Sequence, residues 1–496
     1  MALKLRKADQ KKDRQTDSKK QQPKSSRKKN REFAAVMYIF LIIFVCMMGY
    51  FAYFEFVQSE DFINNPYNKR QDLFAQKVVR GEIRSADGYT LANTAISEDG
   101  AEVREYPCEN MFAHVVGFAT NGKAGLESTE NFKLLRSHTF FLEKIINELQ
   151  GEKNLGDNLI TTLNYDLQKT AYEALGKRDG AVIVMEPSSG KILAMVSKPD
   201  FDPNNISEEW EELTSEDSKS TVLLNRATQG QYPPGSVFKI FTTLEYLHEN
   251  PDYEAYEYDC NGSFSSGGAV IHCYKNKRHG NVDLKESFAN SCNSSYASIG
   301  LSLNRTSFQS LCDGMLFNTD LPWKGEYAKS SFSISEDASD SLMMETSIGQ
   351  GKTLVSPLHM LLVTSAIAND GILMKPYLTD RIENYNGILV EETEPAEYGR
   401  LVSEEDAAVL QQFMEETVND GTADRLKGRS YTAAGKTGTA EFSSSTKAAH
   451  AWFVGYAHQE GMEDIAIAVI VEDSGAGSEY AVPIARKVFD AYFSEQ

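Results

Sequence analysis

From Phe33 to Phe54 the chain has no charged side chain (33-FAAVMYIFLIIFVCMMGYFAYF-54). As a helix this run of 22 residues reaches about 33 Å, enough for a hydrocarbon core about 30 Å thick. The lack of any charged face argues against a surface helix, and the length argues against an ordinary core helix. No small-residue cleavage site follows, and the basic stretch before the run is long, so it reads as an uncleaved anchor rather than a removable leader. Positive charge is scarce after it. Residues 57–496 carry 37 Lys+Arg against 66 Asp+Glu, a net charge of −29, which makes the bulk of the chain a poor nucleic-acid binder. Residues 1–31 carry 13 Lys+Arg against 3 Asp, a net charge of +10. The positive-inside rule puts that tail in the cytoplasm and everything after residue 56 outside.

Other absences narrow the reading further. Beyond the basic tail there is no internal repeat and no long low-complexity tract. The length of 496 residues suggests roughly three domains. Only six cysteines occur, and paired Cys-x-x-Cys spacing is missing. Cys46 lies in the apolar run; Cys108, Cys260, Cys273, Cys292 and Cys312 lie in the exterior part, where disulfides persist. Cys260 and Cys273 flank a Gly/Ser-rich turn and either close a hairpin disulfide, stabilising by about 3 kcal/mol, or stand as two inert thiols. His272 and His279 beside Cys273 give only a weak metal signal without that spacing, and no metal site or other cofactor is expected.

Residues 57–157 mix short alternating runs with polar turns and hold no catalytic signature. Strands are expected at 78-VVRGEI-83 and 101-AEVREY-106, and a helix over 138–150 that stops at Gly151. Near 159-LITTLNYDLQKTAYEALG-176 a strand is followed by an amphipathic helix. In 181-AVIVMEPSSGKILAMVSKP-199 two apolar runs flank a hairpin turn. Three further strands are expected at 429–442, 450–457 and 465–473, and a helix over 481–493. The pattern predicts an α+β fold (an α/β sandwich): an antiparallel sheet whose end helices cover one face, with a helical insert between its second and third strands.

In 231-QYPPGSVFKIFTTLEYL-247 a serine follows the breaker Pro-Pro-Gly, and a lysine stands three residues later in an apolar run. Ser236 is expected to begin a helix, where a bland role is to cap free N–H groups. Lys239 then sits one turn along on the same face. A serine hydroxyl needs a base to become a nucleophile, and a desolvated lysine loses its charge and supplies one. The same Ser-x-x-Lys spacing recurs at Ser25–Lys28, Ser26–Lys29, Ser188–Lys191 and Ser444–Lys447, without a helix start. Ser291-Cys292-Asn293 offers a proton relay and an amide holder, or simply a polar turn. In 434-AGKTGTAEF-442, Gly435 and Gly438 allow close backbone approach. There Lys436 supplies charge, while Thr437 and Thr439 supply hydroxyls; the bland alternative is a tight turn.

Taken in order, Ser-x-x-Lys, Ser-x-Asn and Lys-Thr-Gly form a specific set, and with them the chain resembles the penicillin-binding transpeptidases. The resemblance extends over roughly residues 158–496, through 197-SKPDFDPN-204, 225-NRATQGQYPPGSVFK-239 and 348-IGQGKTLVSPLHMLLVTSAIANDG-371. The preceding region resembles that of class B members at 80-RGEIRSADGYTLANT-94, 106-YPCENMFAHVVGFAT-120 and 125-GLE-127. Ser85 and Ala86 replace the family's usual Asp-Arg pair there. The resemblance implies a five-stranded antiparallel sheet with an all-helical lobe, as in serine β-lactamase and transpeptidase folds. It also implies four segments: a tail (1–32), an anchor (33–56), a β-rich pedestal resembling a dimerisation domain (57–157) and a transpeptidase domain (158–496).

By the same resemblance the substrate is the D-Ala-D-Ala end of a peptidoglycan stem peptide, and β-lactams acylate the serine. Ser236 is the nucleophile and Lys239 its base. Ser291 and Lys436 move the proton to the leaving group, Asn293 holds the acyl chain, and Thr437, Gly438 and Thr439 bind substrate. The backbone N–H groups of Ser236 and Thr439 form the oxyanion hole, where one donor contributes about 3–4 kcal/mol. A SEDS-family glycan polymerase is the implied partner. A β-lactam-sensing receptor, or a D,D-carboxypeptidase or β-lactamase on the same fold, are the alternatives.

Overall fold

The computed structural model describes residues 25–55, 75–97, 100–215, 217–440 and 449–494. Most of the basic tail, the start of the pedestal and the Ser444–Lys447 pair lie outside the described residues. Met1–Asn65 and Pro66–Gln496 form two separate units.

In the first unit, α1 runs from Ser25 to Tyr53, 29 residues or about 43 Å. It extends the apolar run by a basic segment at its N-terminal end. Its large side chains, Phe40 and Phe44 among them, are exposed. Among the described residues of the unit nothing covers them, which fits a helix whose surroundings are apolar.

The second unit begins with a small sheet. Strands β1 (Ile83–Arg84) and β3 (Glu102–Glu105) overlap the two runs where strands are expected, and β2 (Thr90–Ile96) lies between them, where none is expected. A helix, α2 (Phe141–Gln150), follows and stops at Gly151, which takes φ +72° as a left-handed cap. Strand β4 (Asn158–Thr161) pairs parallel with β1. A buried ion cluster holds this region: Glu127 receives Arg80 at 2.5 Å and Arg104 at 2.7 Å. Burial opposes the Glu127 charge, but Arg104 and Arg80 outweigh it and hold the carboxyl below its usual range. The residues quoted for the family resemblance at 80 and 127 are thus two halves of one contact. Ser85, where the family has Asp, is buried and closes its own turn, accepting from the Tyr89 N–H at 2.9 Å.

Next come α3 (Tyr165–Leu175) and the hairpin β5 (Gly180–Met185) and β6 (Ile192–Lys198). Asn164 caps α3 by accepting from the Leu167 N–H at 2.7 Å. The helical insert follows, and its parts at the site are α4 (Lys239–Glu249), the ribbon β7 (Ser263–Ser266) and β8 (Ala269–His272), α5 (Leu284–Ala289) and α6 (Asn293–Ser302). Helix α7 (Pro357–Ala368) is mostly apolar on every side and almost wholly buried, as such a helix must be. Strands β9 (Thr379–Glu383) and β10 (Leu389–Glu392) return to the small sheet, giving it the order β10-β9-β4-β1-β2-β3. That sheet therefore draws strands from both sides of residue 157. Helix α8 (Glu404–Asn419) precedes the last strands, β11 (Thr432–Ala440), β12 (His450–His458) and β13 (Ile465–Val471), and α9 (Val482–Ser494) closes the chain.

The main sheet has five antiparallel strands in the order β11-β12-β13-β5-β6. Alternation sends its side chains to two faces. Val182, Val184, Ile467 and Val469 pack with α3 and α9, through Leu167, Val488 and Phe489. Ala181, Ile183, Ala468 and Ile470 face the opposite core, which contains α7 and the insert. The insert lies between β6 and β11, as the pattern predicts, so both faces of the sheet are covered and β11 is left at an edge.

Candidate active site

Pro233 and Pro234 bring the chain to Gly235, which takes φ +54°. A Cβ there would lie 2.7 Å from the Thr439 carbonyl oxygen, so glycine lets this turn touch β11. Gly438 answers from the strand: its Cβ would stand 3.0 Å from the Pro234 oxygen and 2.9 Å from Trp452 Cβ. The Trp452 indole N–H donates to the Pro233 carbonyl at 3.0 Å and fixes the turn to β12.

Residues Gly235–Phe238 form a 3-10 turn, and α4 starts only at Lys239. This differs from the expected helix start at Ser236. In a 3-10 turn side chains three apart eclipse, so Lys239 still follows Ser236 on one face. Ser236 is half-buried and its hydroxyl makes no hydrogen bond among the described residues. It is neither a cap nor tied to Lys239 in this state. The hydroxyl opens into a cleft of about 1060 Å³ that also exposes Ser291, Asn293, Thr437 and Thr439.

Lys239 is completely buried. Its Nζ lies 2.8 Å from the Ser291 carbonyl oxygen, 2.8 Å from Asn293 Oδ1 and 3.1 Å from Ser291 Oγ. The Tyr296 ring lies 5.1 Å away. Among the described residues no carboxylate is in contact. Burial pulls the amine down to about 7, against weaker opposing effects from Cys292 and Cys273. The carbonyl and the amide oxygen only accept, so they take two N–H groups. A neutral amine then keeps its lone pair for a hydroxyl proton.

Ser291 sits in the turn between α5 and α6 with φ +55°, a region costly for a non-glycine residue. That conformation aims both its carbonyl and its hydroxyl at Lys239. Asn293, the first residue of α6, donates through Nδ2 to the His272 carbonyl at the end of β8, at 3.0 Å. The β7–β8 ribbon is thereby fastened along the cleft.

On β11, Lys436 is also completely buried, and burial followed by the nearby Lys239 holds its pKa well below the usual value. The Phe288 ring lies 5.3 Å from its Nζ. Thr437 shares a 2.5 Å hydroxyl contact with Thr422. All eight candidates, Ser236, Lys239, Ser291, Asn293, Lys436, Thr437, Gly438 and Thr439, thus lie in or directly beneath one cleft. Sequence reasoning missed Thr422, which nothing near it in the chain marks, and the rings of Tyr296 and Phe288 that close over the two lysines.

Of the two readings left open for Cys260 and Cys273, the hairpin disulfide is not formed. All six cysteines are free, and Cys260 Sγ and Cys273 Sγ stand 3.7 Å apart, against about 2.05 Å in a disulfide. They belong instead to a cluster with His279 and Cys292.

Residues 180–490 match the family model of the penicillin binding protein transpeptidase domain, and residues 80–159 that of the penicillin binding protein A dimerisation domain. The peptidoglycan D,D-transpeptidase PbpA of Mycolicibacterium smegmatis is 30% identical over 94% of this chain and 99% of its own length. The peptidoglycan D,D-transpeptidase MrdA of Acinetobacter baumannii is 28% identical over 78% of this chain and 65% of its own. Among solved structures, the ceftriaxone acyl-enzyme complex of penicillin-binding protein A from M. tuberculosis superposes with a TM-score of 0.75 at 27% identity, covering 85% of this chain and 99% of that one. The three motifs, the sheet that carries them and these likenesses agree: this chain belongs to the penicillin-binding protein transpeptidases, as a class B member.

Proposed function

We propose that this protein is a membrane-anchored peptidoglycan D,D-transpeptidase that cross-links stem peptides through an acyl-enzyme on Ser236 and is inhibited by β-lactams. The observation that carries the reading is the buried, carboxylate-free Lys239 at the floor of a cleft shared by Ser236, Ser291 and the edge of β11. The neutral Lys239 amine takes the Ser236 proton as Oγ attacks the penultimate D-Ala carbonyl. Backbone N–H groups of Ser236 and Thr439 hold the developing oxyanion. Lys436, Thr437 and Thr439 hold the terminal carboxylate, with Gly438 keeping the strand close. Lys239 and Ser291, assisted by Lys436, pass the proton to the departing D-Ala nitrogen as the C–N bond breaks. Asn293 holds the acyl chain. An amine of a second stem peptide then attacks the ester, and its proton returns the serine to the resting state.

The N-terminal helix α1 is consistent with a membrane anchor. The tail basicity supports an inside N-terminus, with the catalytic region outside. Functionally, we divide the chain into tail (1–32), anchor (33–56), pedestal (57–157) and transpeptidase domain (158–496). A SEDS-family polymerase is the partner that class B membership suggests.

Labelling with a fluorescent penicillin tests the nucleophile: wild type is expected to carry a covalent label and Ser236→Ala none. A label that persists in the variant removes Ser236 from the role. Purified enzyme given lipid-linked glycan, with and without a polymerase, is expected to yield cross-linked peptides. Release of D-Ala without cross-links would assign a trimming enzyme instead.

A further inference from the structure

We propose that α2 is an interfacial helix that lays its outward face in the lipid of the membrane spanned by α1, and so holds the pedestal against the bilayer. An ordinary surface helix turns its apolar stripe to the core and its polar side to water. Here the two are exchanged. Residues 141, 145 and 149, with 142 and 146 beside them, fall on one stripe at helical spacing. Phe141, Leu142, Ile145, Ile146 and Leu149 are nevertheless all exposed, Leu149 at 82%. No residue of α2 is buried, and Phe140 just before it is exposed as well.

The polar side is what fastens the helix to the rest of its unit. Glu143 accepts from the Tyr385 hydroxyl at 2.7 Å. Lys144 Nζ donates to the Ser137 carbonyl at 2.6 Å, and Asn147 Nδ2 donates to Asn154 Oδ1 at 3.1 Å. These three bonds set which side points outward, so the apolar stripe is held in place rather than left free to roll inward. A contiguous exposed stripe of this kind marks a contact surface.

Two observations favour lipid as the occupant. The first is chemical. The five side chains of the stripe carry no hydrogen-bonding group, whereas a protein interface makes about one hydrogen bond per 100–200 Å². Acyl chains require none. The helix charges, Glu143, Lys144 and Glu148, give no net attraction to anionic headgroups, so the contact is apolar in character. The second is connectivity. Lys153 Nζ donates to the Ala75 carbonyl at 2.9 Å, and Val78–Val79 pair with Asn154–Leu155. The chain arriving from the anchor therefore enters this unit beside the C-terminal end of α2. Residues 56–74 separate Glu55 from Ala75 and reach at most about 70 Å when fully extended. That tether keeps α2 at high local concentration near the bilayer. A single short helix binds lipid reversibly, so α1 retains the chain and α2 orients it. The proposal rests on the reading of α1 as the anchor.

The full chain, reconstituted in phosphatidylcholine vesicles, tests this with tryptophan fluorescence. Leu149→Trp places an emitter on the stripe, and the wild type reports the background of its own three tryptophans. In vesicles with brominated acyl chains the added emission is expected to fall by half or more relative to unbrominated vesicles. Adding Phe141→Glu and Ile145→Glu is expected to abolish that quenching. These positions are exposed, so the variants keep their fold. Penicillin acylation is expected to stay unchanged in them, while cross-linking of lipid-linked glycan slows several-fold. Unquenched Leu149→Trp in a chain that resists carbonate extraction overturns the lipid contact. An emission shift that needs a co-reconstituted polymerase, or that grows with chain density, overturns it too and assigns the face to a protein partner or a second copy. Cross-linking undiminished in the charged variant overturns the orienting role alone. A chain that carbonate washes off the vesicles overturns the anchor reading and this proposal with it.

Discussion

Among the described residues Lys239 has no carboxylate beside it; Lys436, Tyr296, Cys292 and Cys273 are titratable groups around it. Its amine is protonated below about pH 7 and free above. Because the free amine is the base, penicillin acylation is expected to rise with pH through about 7 and then level off, losing about tenfold per unit on the acid side. Stopped-flow acylation across pH checks this, and a flat profile would oppose it. Lys239→Arg imposes a permanent cation that never gives up its proton, so it is expected to abolish labelling while still folding, as judged by circular dichroism. The Ser236–Lys239 pair was legible because a lysine in an apolar run demands a reason. The Ser291 backbone angle was not, since serine has no sequence mark for a positive φ.

At the scale of elements, glycine placement governs how closely β11 meets the Ser236 turn. Gly438→Ala pushes a methyl against Pro234, Val237 and Trp452. It is expected to cut the acylation rate while costing little in thermal stability, measured side by side on one preparation. In the pedestal, Glu127→Ala leaves Arg80 and Arg104 buried without their counter-charge. A loss of about 3–5 kcal/mol is expected in chemical denaturation. The hairpin, the three C-terminal strands and the closing helix were all readable, because their alternation and their turns are local. The mixed pedestal sheet was not: β9 lies more than two hundred residues from its partner β4, and pairing at that distance leaves no periodicity. The cysteine cluster escaped for the same reason, since its members arrive from separate segments.

For the whole molecule, the break between Asn65 and Pro66 separates an exposed apolar helix from a unit with its own core. Protein lacking residues 1–65 is expected to stay in solution without detergent and still take the penicillin label, whereas the intact chain sediments with membranes; fractionation by ultracentrifugation checks both. The main sheet has one consequence for what this protein reads. Among the described residues β11 has a bonded neighbour on one side only. An extended peptide laid along the vacant side would complete the ladder as a sixth strand, recognised through its amides rather than its side chains. Selectivity would then rest on chirality and on the free terminal carboxylate, leaving the interior residues of the donor peptide at liberty to vary.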